Sequence, residues 1–498
     1  MSGAIEHREV EYKFRIPQDL SLDVAEILAT STRAITPQPH RSMVAVYYDT
    51  NNVNLLRWGI TLRHRVGGGD DGWHLKIPAA GIEGERDEIR IERSDTTVPF
   101  ELTSIVSPLL RRQELVPMAE VRTERTPFVV SAPDGTELVE VVDDHVTVGR
   151  PQSGKHATFR EVEVELLQDS PDAHNAAAAL RAQLKSVGAV SSSLSKAAQA
   201  LGRGAGDPPD VPELPYPSED GSSIDALQAI FSRYVRDLLR ADVGVRRKSP
   251  DSVHRMRVAC RRLRAALKTF QSLLDAEATD FLREELAWLA TELGQVRDTE
   301  VQREFLADRI TDAPARDFVV ESLDQRLRAA YSSALAALRS DRHDFLIEDL
   351  ILLVSEPPVT ALAFESAGPV LKACARTPWK RLRRSVNQVD GSPTSWHRVR
   401  LKAKQARYAV EAIAPILGVD YAQLGTSLAW VTDTLGSRQD AHVSVLTLEE
   451  LAVHAPGSIA FELGRQAARC EVTGDEDVRA FVKRWPAILD RATRMGLN

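Results

Sequence analysis

The sequence changes its hydrophobic period once, at "GRGAGDPPDVPELPYPSEDGSS" (202–223), and that change forbids one continuous architecture. Ahead of it, "HREVEYKFRI", "GITLRHRV", "DEIRIER" and "FREVEVELL" alternate polar with apolar residues, the period-two pattern of strands with one buried face. After it, "SIDALQAIFSRYVRDLLRADV", "FLREELAWLATELGQV" and "SLDQRLRAAYSSALAALRS" follow the helical period, and strand signals nearly vanish. The glycines, prolines and acidic residues between the two regions read as an interdomain linker. The expectation is an α+β chain in three parts. An antiparallel β-rich domain with flanking helices, a β-barrel tunnel if its strands close, occupies 1–203, a Pro/Gly-rich linker 204–222, and an all-α domain 223–498. At 498 residues the chain also exceeds what one core ordinarily serves.

In the first part the polar side of the strands carries charge rather than neutral groups. Glu9 and Glu11, Glu140 and Asp144, and Glu161, Glu163 and Glu165 supply carboxylates; Lys13, Arg63, Arg65, Lys76, Arg90, Arg122 and Arg125 supply cations. If the strands close with these faces inward and the apolar faces under helices, the interior is a polar tunnel. Clustered carboxylates repel one another, so a bound divalent cation is the economical explanation, and hard oxygen ligands favour Mg²⁺ or Mn²⁺ over zinc. Arginines and lysines in the same tunnel would hold the phosphates that such a cation bridges.

The helical half repeats itself, as 223–355 and 366–498. "VHRMRVACRRLRAALKTF" and "WHRVRLKAKQARYAVEAI" align on His254 and His397. Offsets 3, 7 and 10 from each histidine are Arg257, Arg261 and Arg264 in one copy and Arg400, Lys404 and Arg407 in the other. Offset 14 breaks the match, being Lys268 in the first and Glu411 in the second. Asp298 and Asp440 follow their histidines by 44 and 43 residues, which makes two pseudo-symmetric helical-bundle repeats the expected arrangement. Spacings of three and four place the basic residues on one helix face. No acidic residue lies between His254 and Leu273, and an unneutralised row of like charge calls for an anion. Guanidinium forks and ammonium groups suit phosphate oxygens, so a basic channel for a linear polyanion is expected.

Composition narrows the partners. A formal charge of -8, with no basic tail, argues against nucleic acid. Cys260, Cys374 and Cys470 are far apart and form no CxxC pair, no run of 18 apolar residues occurs, and the N-terminus lacks a signal-peptide pattern. A cytoplasmic chain without a membrane span is expected. "VGGGDDG" (66–72) lacks the Lys-Ser/Thr of a P-loop and reads as a hairpin turn, and His64, His74 and His145 match no metal spacing.

"EVEYKF" matches the E-x-E-x-K signature of the CYTH family, the triphosphate tunnel metalloenzymes, and "YYDT", "LRHR", "LKIP", "RDEIRIE", "VRTERTPF", "DDHV", "FREVEVELL" and "SLSKAAQAL" resemble its motifs in order. The helical half, through "HRMRVACRRLR" and "HRVRLKAKQARYAVE", resembles the CHAD domain, which is associated with polyphosphate binding. The resemblance implies a metal site of Glu9, Glu11, Asp144, Glu161 and Glu163, with Asp143 competing for the place of Asp144. It implies triphosphate contacts from Lys13, Arg63, Arg65, Lys76, Arg122, Arg125 and Lys196, and from Arg86, Arg90 or both. It implies polyphosphate contacts from His254, Arg257, Arg261, Arg264, Lys268, His397, Arg400, Lys404 and Arg407. The activity implied is divalent-metal-dependent hydrolysis of inorganic triphosphate or a related nucleoside or organic triphosphate. The alternatives are a non-catalytic polyphosphate sensor or scaffold, an adenylate cyclase, or a thiamine triphosphatase. Polyphosphate binding would extend the cytoplasmic expectation to polyphosphate granules.

Overall fold

The computed structural model describes residues 4–16, 33–79, 84–150, 156–201, 206–471 and 475–497, apart from the side chains of 393, 437–442, 470, 471 and 475–477. The expectations attached to Asp440 and Cys470, and the start of the linker at 202–205, lie outside the described residues. The chain divides into two compact units, Met1–Asp210 and Val211–Asn498.

The first unit holds ten strands: β1 (Ala4–Ile16), β2 (Ala34–Pro37), β3 (Arg41–Asp49), β4 (Thr61–Val66), β5 (Gly72–Pro78), β6 (Glu85–Ile91), β7 (Val116–Ser131), β8 (Glu137–Gly149), β9 (His156–Leu166) and β10 (Val190–Ser192). Eight of them run β1-β6-β5-β4-β3-β7-β8-β9, and β9 returns to β1, so the antiparallel sheet closes into a barrel. β1 manages this because its halves face different neighbours: Ala4–Val10 pairs with β6, and Glu11–Ile16 pairs with β9. Short helices α1 (Asn54–Arg57) and α2 (Phe100–Leu110) lie in the connections; α3 (Pro171–Ser186) and α4 (Lys196–Leu201) follow β9.

The alternation in the sequence becomes an inside and an outside. Phe14, Ile16, Val141, Val162 and Val164 face outward and pack under Ala173, Ala176, Ala177, Leu180 and Leu184 of α3. A second cluster joins Val121, Val146 and Val148 to Ala197 and Leu201 of α4. The "VGGGDDG" segment turns β4 into β5 through three residues at positive φ, Gly67, Gly68 and Gly69. A Cβ at Gly67 would also collide with the Ser42 carbonyl oxygen.

The second unit is helical, with α5 (Ser223–Arg246), α6 (Ser252–Thr269), α7 (Ala276–Arg309), α8 (Ala313–Leu338) and α9 (Asp341–Ser355) in the first copy. The second copy has α10 (Ala367–Asn387), α11 (Pro393–Leu417), α12 (Val419–Thr434), α13 (Ser437–Ala452), α14 (Gly457–Glu471) and α15 (Asp475–Arg494). The copies differ in one respect: α7 runs unbroken through Gly294, whereas Leu435 and Gly436 separate α12 from α13. Ser222 and Ser366, each preceding the first helix of its copy, form an antiparallel bridge. Ser223 N donates to Glu365 O at 2.9 Å and Ala367 N to Gly221 O at 2.7 Å. Equivalent residues pairing with one another is the local signature of a twofold relation. Residues 211–222 belong to this unit, since Val211 is buried and its carbonyl accepts from Arg236 Nη1 at 2.7 Å.

One polar network lies inside the helical core. Arg246 Nε donates to Asp242 Oδ1 at 2.6 Å, and His343 Nε2 stands 3.0 Å from Asp242 Oδ2. Burial opposes ionisation of Asp242, yet Arg246 and His343 hold its carboxyl below the usual range. Asp242→Ala would leave Arg246 buried without its countercharge, at a cost of about 3–5 kcal/mol. Chemical denaturation followed by helical circular dichroism should show that loss in the unfolding of the second unit.

Candidate functional site

The inner face of the barrel encloses a cavity of about 260 Å³ whose lining is almost wholly ionisable. Glu9, Glu11, Lys13, Arg63, Arg65, Lys76, Arg90, Arg125, Glu163 and Lys196 all line it. Strand register explains the convergence. Lys13 lies opposite Glu163 and Glu11 opposite Glu165, and the next strand sets Asp144 opposite Glu161 and Arg125 opposite Asp144.

Asp144, Glu161 and Glu163 form the buried centre, each offering an oxygen within 4.8 Å of the others. Lys196 enters from the first turn of α4, its Nζ 2.6 Å from Glu161 Oε1, 2.6 Å from Glu163 Oε1 and 3.0 Å from Asp144 Oδ2. Arg125 clamps Asp144 through Nε at 2.8 Å and Nη2 at 2.7 Å, and reaches Glu163 Oε2 at 2.7 Å. The Lys196 contact to Glu161 Oε1 lacks hydrogen-bond direction, so that oxygen is buried without a hydrogen-bond partner. Three convergent carboxylates with an unsatisfied oxygen suit a hard divalent cation.

Around this centre carboxylates and cations hold one another. Lys76 Nζ bonds both oxygens of Glu9, at 2.8 and 2.6 Å, and Lys13 Nζ lies 3.1 Å from Glu163 and 3.3 Å from Glu11. Burial penalises Glu163, but Lys13, Lys196 and Arg125 keep its carboxyl well below the usual range; burial likewise opposes Glu9, which Lys76 holds down. Glu11 is pushed up to about 7 by burial and by Glu163, and Glu165 to about 8 by burial and by Glu9. Burial disfavours the charged form of Lys196, but Glu161, Glu163 and Asp144 raise it well above the usual range.

The opposite wall has spare donors. Among the described residues, Arg63 Nε, Arg65 Nε and Arg90 Nε are buried without a hydrogen-bond partner. Burial and the neighbouring Arg63 and Arg125 lower Arg65 to about 9, although it also forms an ion pair with Asp70. Such donors fit phosphate oxygens.

Strand parity settles what the sequence left open. Asp144 is fully buried on the inner face, whereas Asp143 points to the other face and pairs with Arg160 at 2.6 Å. Arg86 and Arg90 are four apart on β6 and both line the cavity. Arg122 lies outside it: three residues before Arg125 it takes the opposite face, with 62% of its side chain exposed and Glu120 at 2.7 Å. Tyr47, His74 and Glu88 also line the tunnel. Tyr47 OH accepts from Arg63 Nη1 at 3.3 Å, and His74 Nδ1 is 3.0 Å from Glu88 Oε1. Burial pulls His74 down to about 4, so it faces Glu88 as a neutral ring. Glu88 carries the alternating signal of "DEIRIER", but Tyr47 and His74 look apolar or incidental in sequence and become legible only through pairing.

In the helical unit, Arg261, Arg264 and Lys268 of α6 and Lys404 of α11 line a groove of about 710 Å³ together with Arg283 and Arg381. Among the described residues its lining contains no carboxylate. The rest of the expected stripe lies elsewhere: Arg257 bonds Asp298 at 2.8 Å, and Arg407 bonds Glu411 at 2.6 Å. Arg400 Nε donates to Thr432 O at 3.4 Å, and His254 and His397 are exposed. Burial and then Arg297 lower His254, which makes it a weak cation. Arg381 had a sequence signal, since α10 contains no acidic residue.

Comparison with known proteins gives these two sites a family. The CYTH domain model matches residues 7–197 and the CHAD domain model residues 229–449. The chain belongs to the CYTH–CHAD two-domain proteins. An uncharacterized protein of Mycobacterium tuberculosis is 30% identical over 519 residues, spanning 98% of this chain and 97% of that one. Among solved structures, the CHAD domain of the plant Ricinus communis is 26% identical, covering 54% of this chain and 93% of that one, with a TM-score of 0.47. PptA from Streptomyces chartreusis is 24% identical, covering 53% of this chain and 100% of that one, with a TM-score of 0.46. CYTH domains are metal-dependent and act on triphosphates, as triphosphatases or cyclases. The buried acidic triad of this CYTH domain can hold a divalent ion.

Two outcomes follow from this geometry. Arg125→Ala should weaken triphosphate binding by about tenfold or more in titration calorimetry, while Arg122→Ala leaves it within twofold. The raised carboxyls set a pH dependence: between the ordinary 4.5 and the values of about 7 and 8, folded Glu11 and Glu165 hold protons that the unfolded chain has released. Stability of the metal-free CYTH domain should therefore fall from pH 5.5 to pH 8.5 in thermal melts.

Proposed function

We propose that the CYTH tunnel hydrolyses the terminal phosphoanhydride of inorganic triphosphate or a related organic triphosphate with Mg²⁺ or Mn²⁺, while the CHAD groove binds polyphosphate. The observation that carries the reading is a buried acidic triad that reaches the tunnel cavity through Glu163, in a cavity also lined by Arg63, Arg65 and Arg90, whose Nε donors have no hydrogen-bond partner among the described residues.

Asp144, Glu161 and Glu163 would hold the cation, with Glu9 and Glu11 at the edge of the site. When bound, the cation neutralises phosphate charge and orders a water. Arg63, Arg65, Arg90 and Arg86 bind and orient the non-bridging oxygens, the first three through groups that burial has already stripped of water. Lys13, Lys76, Arg125 and Lys196 now neutralise tunnel carboxylates, and the incoming phosphates offer them a second set of oxygens. Attack of water on the terminal phosphorus breaks the bridging P–O bond, pyrophosphate (or the organic diphosphate, for an organic substrate) departs with the electron pair, and the water's proton passes to solvent or a tunnel carboxylate.

The test offers the full chain triphosphate, ATP, thiamine triphosphate and long-chain polyphosphate, with Mg²⁺ or Mn²⁺, following phosphate and cyclic AMP together. Metal-dependent phosphate release from triphosphate is expected, reduced by about 10²-fold or more in Glu161→Gln with Glu163→Gln. Binding of all four compounds with turnover of none would leave a scaffold instead of an enzyme. For the helical domain, Arg264→Ala with Lys268→Ala should weaken polyphosphate binding and flatten its salt dependence.

A further inference from the structure

The CHAD groove is not a purely ionic surface. Its α6 wall is cationic, with Arg261, Arg264 and Lys268 at helical spacing, while α10 contributes Pro369, Val370, Ala373 and Pro378 beside one cation, Arg381. Leu362 and Leu401 add to the apolar lining and leave 42% and 46% of their surfaces to water. Ser272 Oγ, just past the end of α6, lies 3.7 Å from Cys374 Sγ in the middle of α10, so the two helices meet along the groove. A mineral polyphosphate satisfies only the cationic wall and leaves the aliphatic one wet. The groove's volume of about 710 Å³ is that of a small-molecule site, which ordinarily spans about 300–1,000 Å³.

We propose that this groove takes a soluble organic phosphate, a phosphate or diphosphate ester of an aliphatic chain, whose anion meets Arg261, Arg264 and Lys268 and whose chain lies along Leu362, Val370 and Leu401. The absence of carboxylates from the lining gives the charge complementarity. Apart from Tyr408 the apolar lining is aliphatic, which suits a flexible chain. Each methylene the wall buries is worth roughly fourfold in affinity. The inference rests on the groove being an anion site, as in the polyphosphate reading, and adds a second requirement to it.

Titration calorimetry of the full chain with geranyl diphosphate and isopentenyl diphosphate tests it, since the two probes share one headgroup and differ by five chain carbons. Geranyl diphosphate should bind at least about tenfold more tightly. Leu362→Gln with Leu401→Gln, both at exposed positions and checked by circular dichroism, should remove that preference, and Arg264→Ala with Lys268→Ala should weaken both probes. Equal affinity for the two probes, or a preference that survives Leu362→Gln with Leu401→Gln, would overturn the proposal while leaving polyphosphate binding standing. Loss of neither probe in Arg264→Ala with Lys268→Ala would overturn it together with the anion-site reading. Binding only to phosphatidic acid vesicles, and not to soluble geranyl diphosphate, would also overturn it.

Discussion

Closure of the barrel through β1 and β9 is the constraint on which the tunnel depends. That pairing sets Lys13 against Glu163 and Arg15 against Glu161, and with it the distance between the first-strand carboxylates and the buried triad. Side chains alternate at every residue along a strand, so a slip of one position would turn the charged rows outward and drive Phe14 and Ile16 into the tunnel. The apolar contacts of those two residues with α3 therefore fix the chemistry inside, although they lie on the other side of the sheet.

Burying so many charges is tolerable because they neutralise one another in short bridges. Lys196 serves three carboxylates at once and Arg125 serves two. Burial alone would discharge these groups; opposite charge keeps most of them ionised, and Glu11 and Glu165, the least compensated, are pushed up instead. The site thus stores its binding capacity as exchangeable ion pairs.

Much of this was legible in the chain. The period change marked the two architectures, and alternation in "HREVEYKFRI" and "FREVEVELL" put the right carboxylates on one face. Parity also contained more than composition reveals: Arg86 and Arg90 share a face, and Arg122 and Arg125 do not. Asp143 and Asp144 are different, because either could face inward until pairing with β9 fixes the phase. The basic stripes were legible as sequence but not as a surface. Arg257 and Arg407 found Asp298 and Glu411 through packing between helices and within a turn, and the groove's apolar wall came from α10, more than a hundred residues from α6. Tertiary contact decides which charges of a stripe remain available.

The one change of sign between the stripes, Lys268 against Glu411, has a larger effect than one residue suggests. Glu411 holds Arg407 and lies 3.7 Å from Arg262 of the other copy, so the second copy sets a countercharge where the first adds a cation, Lys268. The backbone keeps a near-twofold while the electrostatic field does not. At the groove the first stripe presents Arg261, Arg264 and Lys268 and the second only Lys404, so a ligand with unlike ends has a reason to enter in one orientation.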